Sequence, residues 1–385
     1  MSDNRRTKVL FLIESLAGGG AEKVLVTMLK HLDAALFDVT LCCVTDLGIY
    51  QEEIKPFVRY MAILPDPNKQ KGLTLLRYKI LYKAIYSWLS PRWIYRLFIP
   101  KGNDVEVAFL EGNVTRILSG STNGKARRIA WVHIDLKNFH WTGEMHRNKV
   151  SESAIYNAFD QIVTVSKASE EVFHQEFPDV RTPVRTVYNP IDRDEIIRLS
   201  LEEADMPKKD ERTVRLISVG RLAYQKAFDR LIRIIRRLAD DHFKIELWIL
   251  GDGPLHYALK CEIEELGLAD CVRLLGFQDN PYRFYPLCDI FVCSSVAEGY
   301  STAATEAIIL GLPVVTTECS GMMELFGGRD CGIITENTED GLYFGLRKML
   351  EDKDLLESCR RAARLRSQDF ELEKQMRPVE DLLQE

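Results

Sequence analysis

Short runs of apolar residues alternate with amphipathic segments along the whole chain. In the first half, uninterrupted apolar runs predict strands at residues 8–13, 39–44, 105–110, 128–132 and 161–165, and a first helix is predicted over 21–32. Strands that are apolar along their whole length are typical of parallel sheets buried on both faces. The alternation of such strands with helices therefore predicts an α/β architecture.

The same alternation begins again after Asn189-Pro190. Strands are predicted at 214–219, 244–250, 272–275, 289–293 and 314–316, and helices at 228–238, 255–266, 302–310 and 342–351. We therefore predict two α/β domains in series, over 1–190 and 191–385, and leave open whether the last helix crosses back to the first domain. Ligands of open α/β sheets bind beyond the carboxyl ends of the strands, so a cleft between the domains is expected to hold the ligand.

Composition narrows the class of protein. The 385 residues are 46% hydrophobic, which is enough for two full cores, and no run of eighteen apolar residues predicts a membrane-spanning helix. The nine cysteines follow neither metal nor disulfide spacing, and the apolar stretch at 9–13 is too short for a signal peptide. These features favour a cytoplasmic protein.

Charge is divided unevenly between the two halves of the chain. Residues 1–190 carry a net charge of +5 and the remainder −11, which gives −6 for the whole chain. An acidic total argues against nucleic acid as a partner. The asymmetry suggests that the two domains face different partners.

The segment 67–103, called here the basic aromatic segment, departs from the ordinary pattern. It contains eight basic residues, seven aromatic residues and no acidic residue, so a helix formed by it would be apolar on more than one face. Basic side chains are attracted to anionic lipid, and aromatic rings settle at the level of the headgroups. We therefore predict contact with an anionic membrane surface. A core helix with a basic rim is the alternative.

The strongest candidate for chemistry is the stretch from Glu298 to Glu306, in which seven residues separate two glutamates. It follows a predicted strand and opens a helix, so the N–H groups from Tyr300 to Thr302, around Ser301, are placed to bind phosphate. Glu306, two turns into the helix, is placed to reach ribose hydroxyls, and Glu298 lies at the mouth of the site. A capped helix with two solvated acids is the alternative.

Two further strand ends supply positive charge and close backbone approach. Arg221 and Lys226 follow the first strand of the second half, and Gly251 begins the turn after the next strand. Two cations beside helix N–H groups suit a diphosphate leaving group, whose developing charge they neutralise without a metal. Because these strands belong to one sheet, their carboxyl ends are expected to converge.

Patterns that suggest metal or nicotinamide chemistry have simpler explanations. Asp192-Arg-Asp194 and Asp352-Lys-Asp354 match the Asp-x-Asp pattern of metal-dependent transferases, but helix capping and solvation account for both. The run 18–20 of three glycines lacks the dinucleotide-binding spacing and a suitably placed acid for the ribose. We therefore expect neither a metal nor a cofactor.

As a set, these motifs resemble those of the retaining glycosyltransferases of family 4, whose GT-B fold has two Rossmann-like domains facing a central cleft. The resemblance covers almost the whole chain and is specific for the set rather than for any single motif. The matching stretches are 18–22, 165–167, 187–192, 219–222 with Lys226, 251–254, 275–277, 298–306 and 320–324.

The resemblance implies roles for the residues of the second half. Arg221 and Lys226 would hold the phosphates of the donor. Glu306 would bind the ribose, and Glu298 would bind hydroxyls of the transferred sugar. The backbone near Phe277 would meet the nucleobase.

The resemblance also implies roles for residues of the first half. The amides near Gly19 and Gly20 would approach the phosphates and the sugar, and His133 would face the sugar and the β-phosphate. Two departures from the family pattern are Ala227, where glycine is usual, and Tyr300-Ser301 in place of Phe-Pro or Leu-Pro. The second departure leaves the shape of the sugar pocket open.

These predictions describe a metal-independent, retaining transferase that moves a hexosyl unit from a nucleotide sugar to a hydroxyl of a lipid-linked or surface glycan. A UDP-sugar is favoured, with a GDP-sugar next. The expected location is the inner face of the cytoplasmic membrane, in capsule, exopolysaccharide or lipopolysaccharide assembly. A nucleotide-sugar epimerase of the same fold and a non-catalytic glycan-binding protein remain as alternatives.

Overall fold

The chain divides into two units, each built around one parallel sheet. The computed structural model describes residues 5–146, 148–206, 209–210 and 212–385. Unit 1 comprises Met1–Pro190 and Glu373–Glu385, and unit 2 comprises Ile191–Leu372. Each unit is described by itself below.

The sheet of unit 1 has seven parallel strands in the order β3-β2-β1-β4-β5-β6-β7. The strands are β1 (Thr7–Ile13), β2 (Phe37–Thr45), β3 (Arg59–Leu64), β4 (Val105–Ala108), β5 (Arg127–Val132), β6 (Gln161–Thr164) and β7 (Val184–Thr186). The helices are α1 (Gly20–His31), α2 (Gln51–Ile54), α3 (Gly72–Lys83), α4 (Pro91–Phe98), α5 (Asn113–Ser119), α6 (Lys149–Tyr156), α7 (Lys167–Glu176) and, after unit 2 in the chain, α15 (Leu372–Gln384).

The sheet of unit 2 has six parallel strands in the order β10-β9-β8-β11-β12-β13. The strands are β8 (Val214–Val219), β9 (Ile245–Leu250), β10 (Val272–Gly276), β11 (Ile290–Cys293), β12 (Val314–Thr317) and β13 (Gly332–Thr335). The helices are α8 (Arg193–Ser200), α9 (Phe228–Asp240), α10 (His256–Glu265), α11 (Thr302–Ile309), α12 (Met322–Phe326), α13 (Glu339–Glu351) and α14 (Lys353–Ser367).

Both sheets reverse their strand order at an internal point. In unit 1, β1 pairs with both β2 and β4, and in unit 2, β8 pairs with both β9 and β11. The helices that follow two such neighbouring strands pack on opposite faces of the sheet, so the loops after the strands diverge and leave a crevice. This topology confirms the predicted α/β class and places a crevice at the carboxyl end of each sheet.

The basic aromatic segment folds into α3, a π-type turn over Ala84–Trp88, and α4. Tyr78 and Leu81 on α3 pack against the core of unit 1, whereas Leu73, Leu76 and Ile80 are between 52% and 76% exposed. At 100° per residue these three side chains form one ridge. The helix is therefore apolar on two faces, as predicted, and one of those faces is exposed.

Candidate functional site

The candidate site of unit 2 lies at the crevice between the neighbouring strands β8 and β11. The loop after β8 carries Arg221 and Lys226, and the loop after β11 carries Glu298. Lys226 Nζ lies 2.5 Å from Glu298 Oε1, although 72 residues separate them in sequence. The sheet topology therefore brings together one of the predicted cations and the first predicted glutamate.

The Lys226–Glu298 ion pair is largely buried. Glu298 is 7% exposed, and its Oε1 also accepts a hydrogen bond from Ser295 Oγ at 2.5 Å. In the described part of the chain, no donor lies within hydrogen-bond distance of the other oxygen, Oε2. One carboxylate oxygen is thus fixed by the protein, and the other remains to bind a ligand.

The charge of Lys226 is secured by its neighbours. Burial by itself lowers the pKa of the Lys226 amine, but the Glu298 carboxylate and the nearby Cys293 and Cys319 outweigh this effect, so the net pKa is raised. The ammonium form therefore persists at neutral pH. An ammonium group has three N–H donors, so Lys226 can keep its bond to Glu298 and still bind an anion.

Arg221 supplies a second cation at the same strand end. Its side chain is exposed and has no hydrogen bond or ion pair with any residue that the structure describes. The stem of Lys226 lies across Gly220, where an added Cβ would come within 3.2 Å of Lys226 Cε. Glycine at 220 therefore lets the lysine side chain approach the strand end closely.

The turn after β9 abuts the end of β8. Gly251 has φ +134°, and a Cβ there would lie 2.0 Å from Gly220 O, so only glycine fits. The amide of Gly251 donates to Gly276 O at 2.8 Å, and Gly276 directly precedes Phe277, whose side chain is 44% exposed. The ends of β8, β9 and β10 therefore lie next to one another at one edge of the sheet.

The loop that carries Lys226 contains a strained residue. Ala227 has φ +47° and ψ +47°, the left-handed region, and it directly precedes α9. An alanine in this region costs about 1–2 kcal/mol relative to the right-handed region, whereas glycine has no such penalty. The departure from the usual glycine therefore stores strain beside the site.

Replacing Ala227 with glycine is expected to raise the free energy of unfolding by up to about 1 kcal/mol, because it relieves this strain. Scanning calorimetry would report the change as a higher Tm. Ala223→Gly in the same loop is the matched control, because Ala223 has φ −136° and gains nothing from glycine. A lower Tm for Ala227→Gly than for Ala223→Gly would contradict the account.

The N-terminus of α11 has the features of an anion site. Ser301 caps the helix, and its Oγ accepts from Ala304 N at 3.3 Å. The first backbone bond into the helix is Thr305 N to Ser301 O, so the N–H groups of Thr302 and Ala303 are not used by intrahelical bonding. These amides and the helix dipole favour a phosphate group.

Tyr300 contributes backbone rather than side chain to this terminus. The residue is 8% exposed, and burial is the main cause that raises the pKa of its phenol to about 12, while hydrogen bonding to Arg366 acts in the opposite direction. The ring is therefore part of the packing of unit 2.

Glu306 lies inside α11 and is 8% exposed. Its oxygens accept from Tyr282 Oη at 3.2 Å and from Tyr285 Oη at 3.3 Å. Burial and the Glu306 charge raise the pKa of Tyr285 well above its usual range, so Tyr285 remains a donor. The second predicted glutamate is thus oriented by two phenols, and the alternative of a freely solvated acid is wrong for both glutamates.

In unit 1, Gly19 and Gly20 begin α1 at the carboxyl end of β1. Gly19 is the N-cap residue, and a Cβ there would lie 2.2 Å from Glu22 Oε2. Glycine at 19 therefore lets the Glu22 side chain fold back over the helix terminus.

His133 directly follows β5, and its backbone is held by the side chain of Glu111. Its backbone N–H donates to Glu111 Oε2 at 3.0 Å, and Trp141 Nε1 donates to Glu111 Oε1 at 3.2 Å. The imidazole Nε2 is a buried atom with no partner in the described part of the chain. Burial lowers the pKa of His133 to about 3, so the ring is neutral at physiological pH. A neutral imidazole has one donor and one acceptor nitrogen, the functions that a hydrogen bond with a hydroxyl group requires.

His133 makes stability depend on pH in acid. The unfolded chain protonates this histidine near pH 6.5, and the folded protein only near pH 3. Between these values the unfolded state binds one more proton, so the free energy of unfolding falls by about 1.4 kcal/mol per pH unit as the pH decreases.

Replacing His133 with glutamine is expected to make the free energy of unfolding depend less steeply on pH between pH 6.5 and pH 4. The decrease in slope corresponds to about one proton. Glu111, whose pKa is raised by burial, acts in the opposite direction and is present in both proteins. Urea unfolding of wild type and variant across this range measures the difference. Parallel curves would show that the imidazole is not excluded from protonation in the folded state.

Sequence reasoning missed Glu111, Trp141 and Ser295. Glu111 and Ser295 each follow a strand within three residues, β4 and β11 respectively, which is the signal that could have identified them. Trp141 lies in the loop between β5 and α6, and no pattern in the sequence indicates its contact with Glu111. These residues orient His133 and Glu298.

The two Asp-x-Asp patterns have the expected capping role. Asp192 caps α8 and accepts from Glu195 N at 2.9 Å, and Asp352 caps α14 and accepts from Leu355 N at 2.9 Å. Within the described ranges, no group of three or more His, Cys, Asp or Glu side chains is arranged to hold a metal ion. No helix in those ranges is both long and apolar enough to cross a bilayer.

Comparison with known protein families matches both units. Residues 18–195 match the model described as Glycosyltransferase Family 4, and residues 202–366 match the model described as Glycosyl transferases group 1. The chain is 32% identical over 370 residues to a Campylobacter jejuni protein, across 94% of this chain and 96% of that one. That relative is named N-acetylgalactosamine-N,N'-diacetylbacillosaminyl-diphospho-undecaprenol 4-alpha-N-acetylgalactosaminyltransferase.

Comparison with solved structures matches the whole architecture. HepE of Anabaena, in complex with UDP and glucose, has a TM-score of 0.74 at 19% identity and covers 98% of this chain and 100% of its own. WaaG, a glycosyltransferase involved in lipopolysaccharide biosynthesis, has a TM-score of 0.64 at 15% identity, with 97% and 99% covered. At these identities the likeness concerns the fold, which is the GT-B fold of two Rossmann-like domains.

Proposed function

This chain belongs to glycosyltransferase family 4, and from this premise we propose that unit 2 binds the diphosphate of a nucleotide-sugar donor. The observation that carries the proposal is the Lys226–Glu298 ion pair at the β8–β11 crevice, with the exposed Arg221 on the same loop as Lys226. A nucleoside diphosphate gains negative charge as it leaves, and preorganised cations stabilise that charge. Protein cations then do what a metal ion does elsewhere.

The reaction that we propose is a transfer with retention at the anomeric carbon. The bond between that carbon and the phosphate oxygen breaks, the acceptor oxygen attacks on the same face, and its proton passes to a phosphate oxygen of the leaving group. We assign Glu298 no role as a nucleophile, because Lys226 and Ser295 hold its carboxylate through Oε1 and the proposed route needs no covalent intermediate. Its Oε2 instead binds hydroxyls of the hexosyl unit.

The remaining donor contacts are assigned by the resemblance to the family. Amides at the N-terminus of α11 bind phosphate, Glu306 binds the ribose within its pair of tyrosines, and the backbone beside Phe277 meets the base. We favour a UDP-sugar as the donor, and the UDP bound in the HepE complex supports this choice over a GDP-sugar. His133 and the amides near Gly19 and Gly20 serve the sugar and its phosphate.

A lipid-linked glycan is the acceptor class that we propose. The Campylobacter jejuni relative is named for a diphospho-undecaprenol acceptor, and an acceptor of this kind resides in a membrane. On α3 the exposed ridge of Leu73, Leu76 and Ile80 is flanked by the exposed cations Arg77 on one side and Lys79 and Lys83 on the other. This ridge suits peripheral binding to the anionic inner face of the cytoplasmic membrane.

Membership of the family makes the chain a glycosyltransferase and sets aside the two alternatives, an epimerase and a non-catalytic glycan-binding protein. Transfer from UDP- and GDP-sugars to a polyprenyl-diphosphate glycan, with and without EDTA, tests the rest of the proposal. We expect EDTA-insensitive transfer and, by NMR, the same anomeric configuration in donor and product. An inverted anomer, or activity restored only by a divalent cation, would contradict it.

A further inference from the structure

The segment 294–297, which joins β11 to Glu298, is held by side chains from other elements. Ser294 O accepts from Arg230 Nε at 2.8 Å, and Ser295 O accepts from Arg230 Nη2 at 2.8 Å. Val296 O accepts from Asn337 Nδ2 at 2.8 Å, and Ala297 O accepts from Gln225 Nε2 at 2.8 Å. Four consecutive carbonyls of a non-helical, non-strand segment are thus bonded to side chains.

Arg230 is an unusual residue for its position. It lies in α9 among buried apolar residues such as Leu231 and Ile234, and it is itself only 8% exposed. A buried guanidinium is costly unless its N–H groups are bonded, and here Nη2 also donates to Asn337 Oδ1 at 2.9 Å. Arg230 and Asn337 are therefore hydrogen-bonded to each other, and together they donate to the three successive carbonyls of residues 294–296.

The segment 294–297 contacts both Lys226 and Glu298 and so determines where the two residues of the ion pair lie. Ser294 Oγ donates to Lys226 O at 2.8 Å, and Ser295 Oγ donates to Glu298 Oε1. A displacement of residues 294–297 would therefore move the backbone of Lys226 and the carboxylate of Glu298 together. Neither Arg230 nor Asn337 contacts either charged group directly through a hydrogen bond among the described residues.

We propose that Arg230 and Asn337 are positioning residues that hold the Lys226–Glu298 pair in its reactive geometry through the backbone of residues 294–297. This inference rests on the proposed function of that pair in donor binding. A misplacement of about 1 Å can cost about a hundredfold in rate. Removal of Arg230 or Asn337 is therefore expected to lower kcat more than it lowers the affinity for the donor.

The test compares Arg230→Gln, Arg230→Lys and Asn337→Ala with the matched control Arg236→Gln. Arg236 lies on the same helix, and its side chain is 36% exposed. It pairs with Asp240 and donates to Leu266 O at 3.4 Å, and among the described residues it bonds to none of 294–297. We expect Arg230→Gln to lower kcat by about a hundredfold with a smaller change in KM for the donor. Added guanidinium ion is expected to restore part of kcat in Arg230→Gln and nothing in the control.

Hydrogen–deuterium exchange gives a readout that needs no turnover. Amides of residues 294–302 are expected to exchange faster in Arg230→Gln and Asn337→Ala, while the rest of unit 2 is unchanged. If Arg230→Gln does not fold, Asn337→Ala carries the test. Exchange and kcat both equal to those of Arg236→Gln, or faster exchange throughout unit 2, would overturn the proposal. If the wild type transfers no sugar but the variants show the expected faster exchange at residues 294–302, the proposed function alone would be refuted.

Discussion

Replacing Lys226 with methionine is expected to lower kcat by about 10²–10³-fold, the loss seen when one preorganised electrostatic donor is removed from a transition state. Methionine keeps the aliphatic stem that lies across Gly220 but removes the charge 2.5 Å from Glu298 Oε1. The leaving diphosphate would then form without its buried cation. Release of nucleotide in the presence of donor and acceptor measures the effect.

The matched control for this prediction is Lys260→Met. Lys260 lies on α10 of the same unit and is exposed, so its loss should change kcat by no more than about twofold. Lys226→Met also leaves the carboxylate of Glu298, 7% exposed, without its cation, so Tm is measured in parallel. Full activity in a folded Lys226→Met protein would show that the ion pair has no part in the reaction.

Neutralising Arg77, Lys79 and Lys83 together by glutamine is expected to weaken binding to anionic vesicles by about a hundredfold. Each basic side chain near an anionic surface contributes about 1 kcal/mol, and three of them give about 3 kcal/mol. All three are exposed on α3 beside the ridge of Leu73, Leu76 and Ile80. Sedimentation with vesicles that contain phosphatidylglycerol measures the loss.

The control for vesicle binding removes the same charge elsewhere in unit 1. Lys125, Lys137 and Lys167 are exposed and lie outside the basic aromatic segment, so their replacement by glutamine should weaken binding far less. Binding of the wild type should also fall as salt increases, because exposed charges are screened. Equal losses for the two triple variants would show that net charge, and not α3, determines the interaction.

The sequence predicted the interior of both sheets but missed three of their four edge strands. Ten strands, namely the nine central ones and the edge strand β10, were indicated by apolar runs, and the structure confirms them with small shifts in their bounds. The three missed strands are β3, β7 and β13, which are edge strands with partly exposed residues. β7 and β13 contain at most two consecutive apolar residues, because an edge strand buries less of its surface. β3 was missed although its residues 60–64 form an apolar run.

The site was predictable where it depends on strand ends and not where it depends on long-range side-chain contacts. Lys226 and Glu298 follow strands whose adjacency can be inferred from the order of a doubly wound sheet. The hydrogen bonds of Tyr282 and Tyr285 to Glu306 join elements that no local pattern relates. The same holds for the hydrogen bonds of Arg230 to the carbonyls of residues 294 and 295. Such contacts become visible only when side chains are placed.

The left-handed conformation of Ala227 shows a further limit of sequence reasoning. Its departure from the usual glycine was visible, but alanine gives no sign of a positive φ, because most alanines avoid that region. The fold imposes this conformation because the residue must join the Lys226 turn to α9 within one residue. The energetic consequence could therefore not be inferred before the backbone was known.

Calorimetric titration of the protein with UDP in the presence of EDTA tests whether protein cations of unit 2 bind the donor diphosphate without a metal. We expect measurable binding by the wild type that is unaffected by EDTA and is weakened strongly in Lys226→Met, but not in Lys260→Met. No binding of UDP, GDP or ADP by the wild type, or equal affinity in Lys226→Met, would contradict it.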